Sequence, residues 1–120
     1  MNKFFLKNTL LTLLISCTLI SKAFCATPSS EPLWIDVRSV EENQQDPIKG
    51  DALIPFKDIG EGINALTTNK NQTIYLYCRS GGRASKAKKT LERMGFTHVR
   101  NVGGIADARK EKIKRAIKGH

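Results

Sequence analysis

Apolar positions recur along this chain in two rhythms. Short, nearly unbroken apolar runs of strand type lie at Leu33-Trp34-Ile35-Asp36-Val37, Ala52-Leu53-Ile54 and Thr73-Ile74-Tyr75-Leu76-Tyr77. The third is richest in β-branched and aromatic residues, which suit a pleated buried surface. His98-Val99-Arg100-Asn101-Val102 predicts a fourth strand. Between the runs, apolar residues return at helical spacing. Ile59, Ile63 and Leu66 share one face, as do Ala84, Ala87, Leu91 and Met94, and Ile105 to Ile117 reads as a basic amphipathic helix.

Local stop and start signals divide these segments. Ser39 predicts a helix cap, with Glu42 three residues on as its capping-box partner, and the helix ends before Asp46-Pro47. Asp58 is placed to cap the next helix, which Gly60 and Gly62 weaken. Asn69-Lys70-Asn71 reads as a turn, Gly95 as a helix C-terminus and Gly103-Gly104 as a final turn. The order β-α-β-α-β-loop-α-β-α predicts an α/β fold with a mainly parallel central sheet flanked by helices. In such sheets ligands bind beyond the carboxyl ends of the strands, and Cys78 falls at that end of the third run.

The first 26 residues follow a different logic. Lys3 and Lys7 precede an apolar run from Leu10 to Ile20, and Ala23-Phe24-Cys25 has small residues where a signal peptidase reads. This layout predicts a secretory signal peptide over residues 1–26, a linker over 27–32, and one domain over 33–120. The expected compartment is the periplasm. Leu14-Ile15-Ser16-Cys17 is a competing lipidation site, but Thr18-Leu19-Ile20 after it stays apolar. Membrane attachment is expected only if Cys17 carries a lipid.

Cleavage after Cys25 would leave Cys78 as the one cysteine, a thiol with no internal disulfide partner. The formal net charge is +9, and without Lys3, Lys7 and Lys22 the balance is 17 basic against 11 acidic residues. For an exported chain, that excess points to small anions or acidic partners. Nucleic acid is not expected, because aromatic residues are not interleaved with the basic ones. No metal site is expected, since no cysteine or carboxylate stands at ligand spacing from His98 or His120. His98 is expected to be exposed and Trp34 to be core. Nothing in the sequence calls for a cofactor, and a monomer is the simplest expectation.

The segment Cys78-Arg79-Ser80-Gly81-Gly82-Arg83 carries the chemistry. Its two glycines let the backbone turn its N–H groups inward, and a helix starting near Ala84 aims its positive end at the loop. With Arg79 and Arg83 nearby, thiolate is favoured over thiol, and a bound anion is favoured beside it. The competing reading from the residues alone is a buried structural cysteine with two exposed arginines.

The same segment resembles the active-site loop of rhodanese-like sulfurtransferases, a cysteine with arginine five positions later. Other blocks match in order: Ile35-Asp36-Val37-Arg38, then Ile48-Lys49-Gly50 and Ile54-Pro55, then Met94-Gly95-Phe96, Val99 and Gly103-Gly104. The chain departs from the family pattern at Pro47, where histidine is common, and at Ala84, where serine or threonine is common. The resemblance is to single-domain exported members. It implies Cys78 as catalytic nucleophile, a substrate-binding loop of Arg79, Ser80, Gly81, Gly82, Arg83 and Ala84, and a supporting Asp36–Arg38 pair. It implies a small anionic sulfur donor such as thiosulfate, and a thiol acceptor that cyanide replaces in assays. One alternative is a persulfide carrier that docks a protein partner through the basic faces around Lys86, Lys88, Lys89 and Arg93 or along Arg109 to Lys118. We read those faces as solvated instead. Cysteine phosphatases and arsenate reductases place five residues between cysteine and arginine; only four separate Cys78 from Arg83.

Overall fold

Four parallel strands form one sheet in the order β2-β1-β3-β4, in a computed structural model that describes residues 31–119. The leader expected over 1–26 and the linker as far as residue 30 lie outside the described residues. The elements are β1 (Leu33–Asp36), α1 (Val40–Gln45), β2 (Ala52–Leu53), α2 (Ile59–Gly62), β3 (Ile74–Cys78), α3 (Gly82–Arg93), β4 (Val99–Gly104) and α4 (Ile105–Lys118).

Every residue of β3 is buried, as a central parallel strand covered on both faces requires. It pairs with β1 from Leu33↔Ile74 to Asp36↔Tyr77 and with β4 from Ile74↔Val99 to Cys78↔Gly104. Ile35, Val37, Ile54, Ile59, Ile63, Ile74, Leu76, Ala84, Ala87, Leu91 and Phe96 form the core. The face Ala84, Ala87 and Leu91 predicted for α3 is the face that packs here, and Met94 is partly buried against it. Successive strands leave β1 in opposite directions, toward β2 and toward β3. The crevice at the carboxyl ends of β1 and β3 is therefore a topological switch point, where such sheets bind ligands.

The helix expected after Asp58 is shorter than its periodicity suggests. Asp58 makes no side-chain cap, α2 spans one turn, and the chain tightens into a 3₁₀ turn over Ile63–Ala65. Ile59 and Ile63 are buried, but Leu66 is 43% exposed, so it does not continue their face. Two glycines within four residues account for the break, since each weakens helix. Gly62 also has a packing role: a Cβ there would lie 2.7 Å from Ile54 Cγ2.

Strand boundaries shift by a residue or two. β3 begins at Ile74 and runs through Cys78, and β4 begins at Val99. Gly103-Gly104 is not a turn but the end of β4. Leu76 pairs with Asn101 and Tyr77 with Gly103, so Val102 is an extra residue in a bulge. The bulge carries both glycines alongside Tyr77 and Cys78. Trp34 is half-buried rather than core; its ring meets Tyr75 edge-on at 4.8 Å, with Lys112 over it. Its strand position faces α4, whose long basic side chains cover the ring without enclosing it.

Candidate active site

Cys78 ends β3 at the switch point, and the three residues after it turn the chain into α3. The tight turn depends on Gly81, whose φ of +97° suits glycine and few other residues. This turn aims main-chain donors at the sulfur: the Gly81 N–H donates to Cys78 Sγ at 2.9 Å. Burial pushes the Cys78 thiol up, but the N–H groups of Ala84, Ser80, Gly81 and Arg83 outweigh it, so the thiol lies below its ordinary value. Backbone dipoles at the start of α3 thus favour the thiolate form of Cys78.

α3 starts at Gly82, two residues earlier than expected. Arg83 therefore sits in the first helical turn, not on the loop. Arg79 and Ser80 are exposed at the mouth, Gly81 and Ala84 are buried, and Gly82 is exposed, with nothing within 4 Å of where a Cβ would stand. Of the six loop residues expected from the sequence, Ser80, Gly81, Arg83 and Ala84 turn main-chain N–H groups toward Cys78.

The end of β4 backs the loop. A Cβ on Gly104 would stand 2.5 Å from the Arg79 carbonyl oxygen, and one on Gly81 would stand 3.3 Å from Gly103 Cα. Asn101 ties the two segments together. Its Nδ2 donates to the Gly81 carbonyl at 2.9 Å, while its Oδ1 accepts from the Gly103 N–H at 2.9 Å. Gly104 N–H donates in turn to Asp107 Oδ2 at 3.0 Å, which starts α4. Sequence reasoning missed Asn101. The available signal was a polar residue in an apolar strand, two positions before a glycine pair.

On the other side lies a charged framework. Asp36 and Arg38 are 0% and 5% exposed. Asp36 Oδ1 accepts from the Arg38 N–H at 2.9 Å and from Nε at 3.0 Å; Oδ2 accepts from Nη2 at 2.7 Å and from Asn43 Nδ2 at 3.0 Å. Arg38 Nη2 also donates to the Asp46 carbonyl at 2.8 Å. The pair closes the end of β1 onto α1. The predicted capping box is present: the Glu42 N–H donates to Ser39 Oγ at 3.2 Å, and the Ser39 N–H donates to Glu42 Oε2 at 3.0 Å.

Glu42 has a second partner that the sequence did not reveal. Arg83 donates to it twice, Nη1 to Oε2 at 2.6 Å and Nη2 to Oε1 at 2.8 Å. The Arg83 guanidinium, and after it the Ser39 N–H, hold the Glu42 carboxyl down at about 2. Arg83 is raised in return, first by Glu42 and then, to a lesser degree, by Cys78. Arg83, in the first turn of the helix that follows Cys78, is thus paired with a carboxylate from α1.

The basic face of α4 is less solvated than expected. Arg109 bridges to Asp46, Lys112 to Asp51, and Arg115 to Glu111 and the Tyr75 hydroxyl. Asp51 also accepts from the buried Tyr77 hydroxyl at 2.9 Å. These contacts fasten α4 across the sheet behind the site. The outer face of α3 is exposed at Lys86, Lys89 and Arg93, while Lys88 pairs with Glu92 at 3.8 Å. His98 is exposed.

The rhodanese-like domain family matches residues 24–111. The thiosulfate sulfurtransferase PspE of Escherichia coli is 42% identical over 81 residues, covering 68% of this chain and 78% of PspE. The putative sulfur carrier protein YrkF of Bacillus subtilis is 38% identical over 68 residues, 57% of this chain and 36% of YrkF. A solved rhodanese with anions from E. coli superposes with a TM-score of 0.61 at 42% identity, covering 64% of this chain and 91% of that one. The chain belongs to the rhodanese-like domain family.

Proposed function

We propose that this sulfurtransferase moves sulfane sulfur through a persulfide on Cys78, with thiosulfate or a similar small anion as donor. One observation carries the reading: Cys78 Sγ accepts from the Gly81 N–H at 2.9 Å, within a loop whose other N–H groups also lower its pKa. The same donors that hold a thiolate would hold the terminal sulfur of a persulfide.

The exchange has two steps. The Cys78 thiolate attacks the outer sulfur of thiosulfate, the S–S bond of the donor breaks, and sulfite leaves with the electron pair. An acceptor nucleophile then attacks the outer sulfur of the persulfide, and Cys78 leaves as thiolate. A thiol acceptor becomes a persulfide; cyanide becomes thiocyanate. Arg79, Ser80, Gly81, Gly82, Arg83 and Ala84 form the donor cradle. Arg79, exposed and without an ion pair among the described residues, meets the donor's charge. Asp36 and Arg38 support the cradle and touch no substrate. The likeness to a thiosulfate sulfurtransferase and to a rhodanese with anions supports this assignment.

The likeness to a putative sulfur carrier favours a second reading, in which the Cys78 persulfide is handed to one docked protein with little free turnover. Residues 1–26 would export the domain to the periplasm in either case, with a lipid anchor if Cys17 is the processing site. Thiocyanate formation from thiosulfate and cyanide tests the first reading. It predicts steady turnover in the wild-type protein and none in Cys78→Ser. One sulfite released per chain, with no turnover on cyanide or small thiols, would replace it with the carrier reading.

A further inference from the structure

Arg83 lies in the first turn of α3 beside the Cys78 loop, yet its charge is already matched. Glu42 holds it through two short hydrogen bonds, 2.6 and 2.8 Å, and the two side chains are each 29% exposed. Paired donors of this kind fix orientation as well as charge. Glu42 is itself held by the Ser39 N–H at 3.0 Å, so α1 presents a rigid carboxylate to α3. The other charged groups near the site are satisfied elsewhere. Asp36 is taken by Arg38 and Asn43, Asp51 by Tyr77 and Lys112, and Asp107 by the Gly104 N–H. Arg79 at the mouth has no ion pair among the described residues.

We infer that Glu42 is a positioning residue that acts on Cys78 through Arg83: it aims the guanidinium at the loop and offsets its charge, and so sets how strongly the site favours a thiolate and an anionic donor. The thiolate part rests on the Glu42–Arg83 pair and on the place of Arg83 in the first turn of α3, directly after the Cys78 loop, and the donor part rests on the sulfurtransferase reading above. A donor meeting the site finds one unmatched cation, Arg79, and backbone dipoles. This suits a small anion that must enter and whose anionic product must leave. Two free arginines would hold sulfite as firmly as the donor.

The test is the pH dependence of Cys78 alkylation by neutral iodoacetamide, in the full chain at low salt. Glu42→Gln keeps the shape and removes the offset. Its alkylation midpoint should fall by about one pH unit, within the range that a nearby opposite charge produces. Glu42→Asp, which keeps the charge, should hold the midpoint near wild type. Ser39→Ala breaks the capping box and should lower Tm without moving the midpoint. In an Arg83→Gln background, adding Glu42→Gln should move the midpoint far less. An unmoved or raised midpoint in Glu42→Gln, or an equal shift without Arg83, would overturn the inference, and the remaining role of Glu42 would be structural. The donor arm is read separately. The thiosulfate concentration for half-maximal rate should drop about threefold in Glu42→Gln, and the drop should vanish at high salt. Absence of turnover in every form, with the midpoint shift intact, would sink the sulfurtransferase reading and leave the Glu42–Arg83–Cys78 coupling standing.

Discussion

Gly104 passes so close to Arg79 that a Cβ at position 104 would lie 2.5 Å from the Arg79 carbonyl oxygen. The end of one strand thereby forms the floor under the sulfur-bearing loop of its neighbour. Because the Gly104 backbone is extended, at φ −87°, any cost of a side chain there comes from the contact alone. Gly104→Ala should cost about 1–3 kcal/mol of stability, the usual range for overpacking, and should lower turnover by displacing the loop. Gly50 gives the contrast, with φ +92° and nothing within 4 Å of a Cβ. Gly50→Ala should cost about 1–2 kcal/mol through backbone strain and leave turnover intact. Urea unfolding and thiocyanate formation on both variants check this pair of outcomes.

Asn101 links β4 to the loop through hydrogen bonds at both ends of its amide. Asn101→Ala leaves the Gly81 carbonyl and the Gly103 N–H without that partner. We expect a loss of about 1–2 kcal/mol, and a fall in kcat larger than any change in KM, because the loop loosens while its cations remain. An unchanged kcat in a measurably destabilised variant would mean that the loop keeps its shape unaided.

Asp36 and Arg38 should behave as a buried unit. Removing one partner strands the other charge, so Asp36→Ala or Arg38→Met should cost about 3–5 kcal/mol. The double variant should lose less than the sum of the two. Additive losses on denaturant unfolding would show the two side chains to be independent, against the three hydrogen bonds between them.

Cys78 links stability to pH. Its folded pKa lies below the ordinary 9.0, so the unfolded chain holds this proton to higher pH than the folded one. The resulting stabilisation is fully present above the ordinary thiol value and is lost as pH falls through the folded value. The wild-type protein should therefore gain stability relative to Cys78→Ser as pH rises toward 9. A difference that is flat across this range would mean the thiol is not lowered.

Much of this fold is legible from residue order. The third apolar run, the Ala84–Ala87–Leu91 face and the Ser39–Glu42 box each depend on neighbours within a few positions, and each is present. The loop around Cys78 was legible for the same reason, since its glycines and helix start are contiguous with the cysteine. The failures share a cause. Asn101 meets Gly81 twenty positions away, and Glu42 meets Arg83 forty-one away. Neither contact has a period or a local motif to announce it. The Val102 bulge depends on register against β3, which spacing within β4 does not encode. The weak helix at Asp58 failed on energetics instead: Gly60 and Gly62 cost more than three spaced apolar residues recover.

The most direct measurement is the intact mass of the purified protein before and after thiosulfate. A persulfide on Cys78 predicts a gain of one sulfur, about 32 Da, that is reversed by cyanide and absent in Cys78→Ser. A folded protein with reduced Cys78 that gains nothing from thiosulfate would contradict the mechanism proposed here.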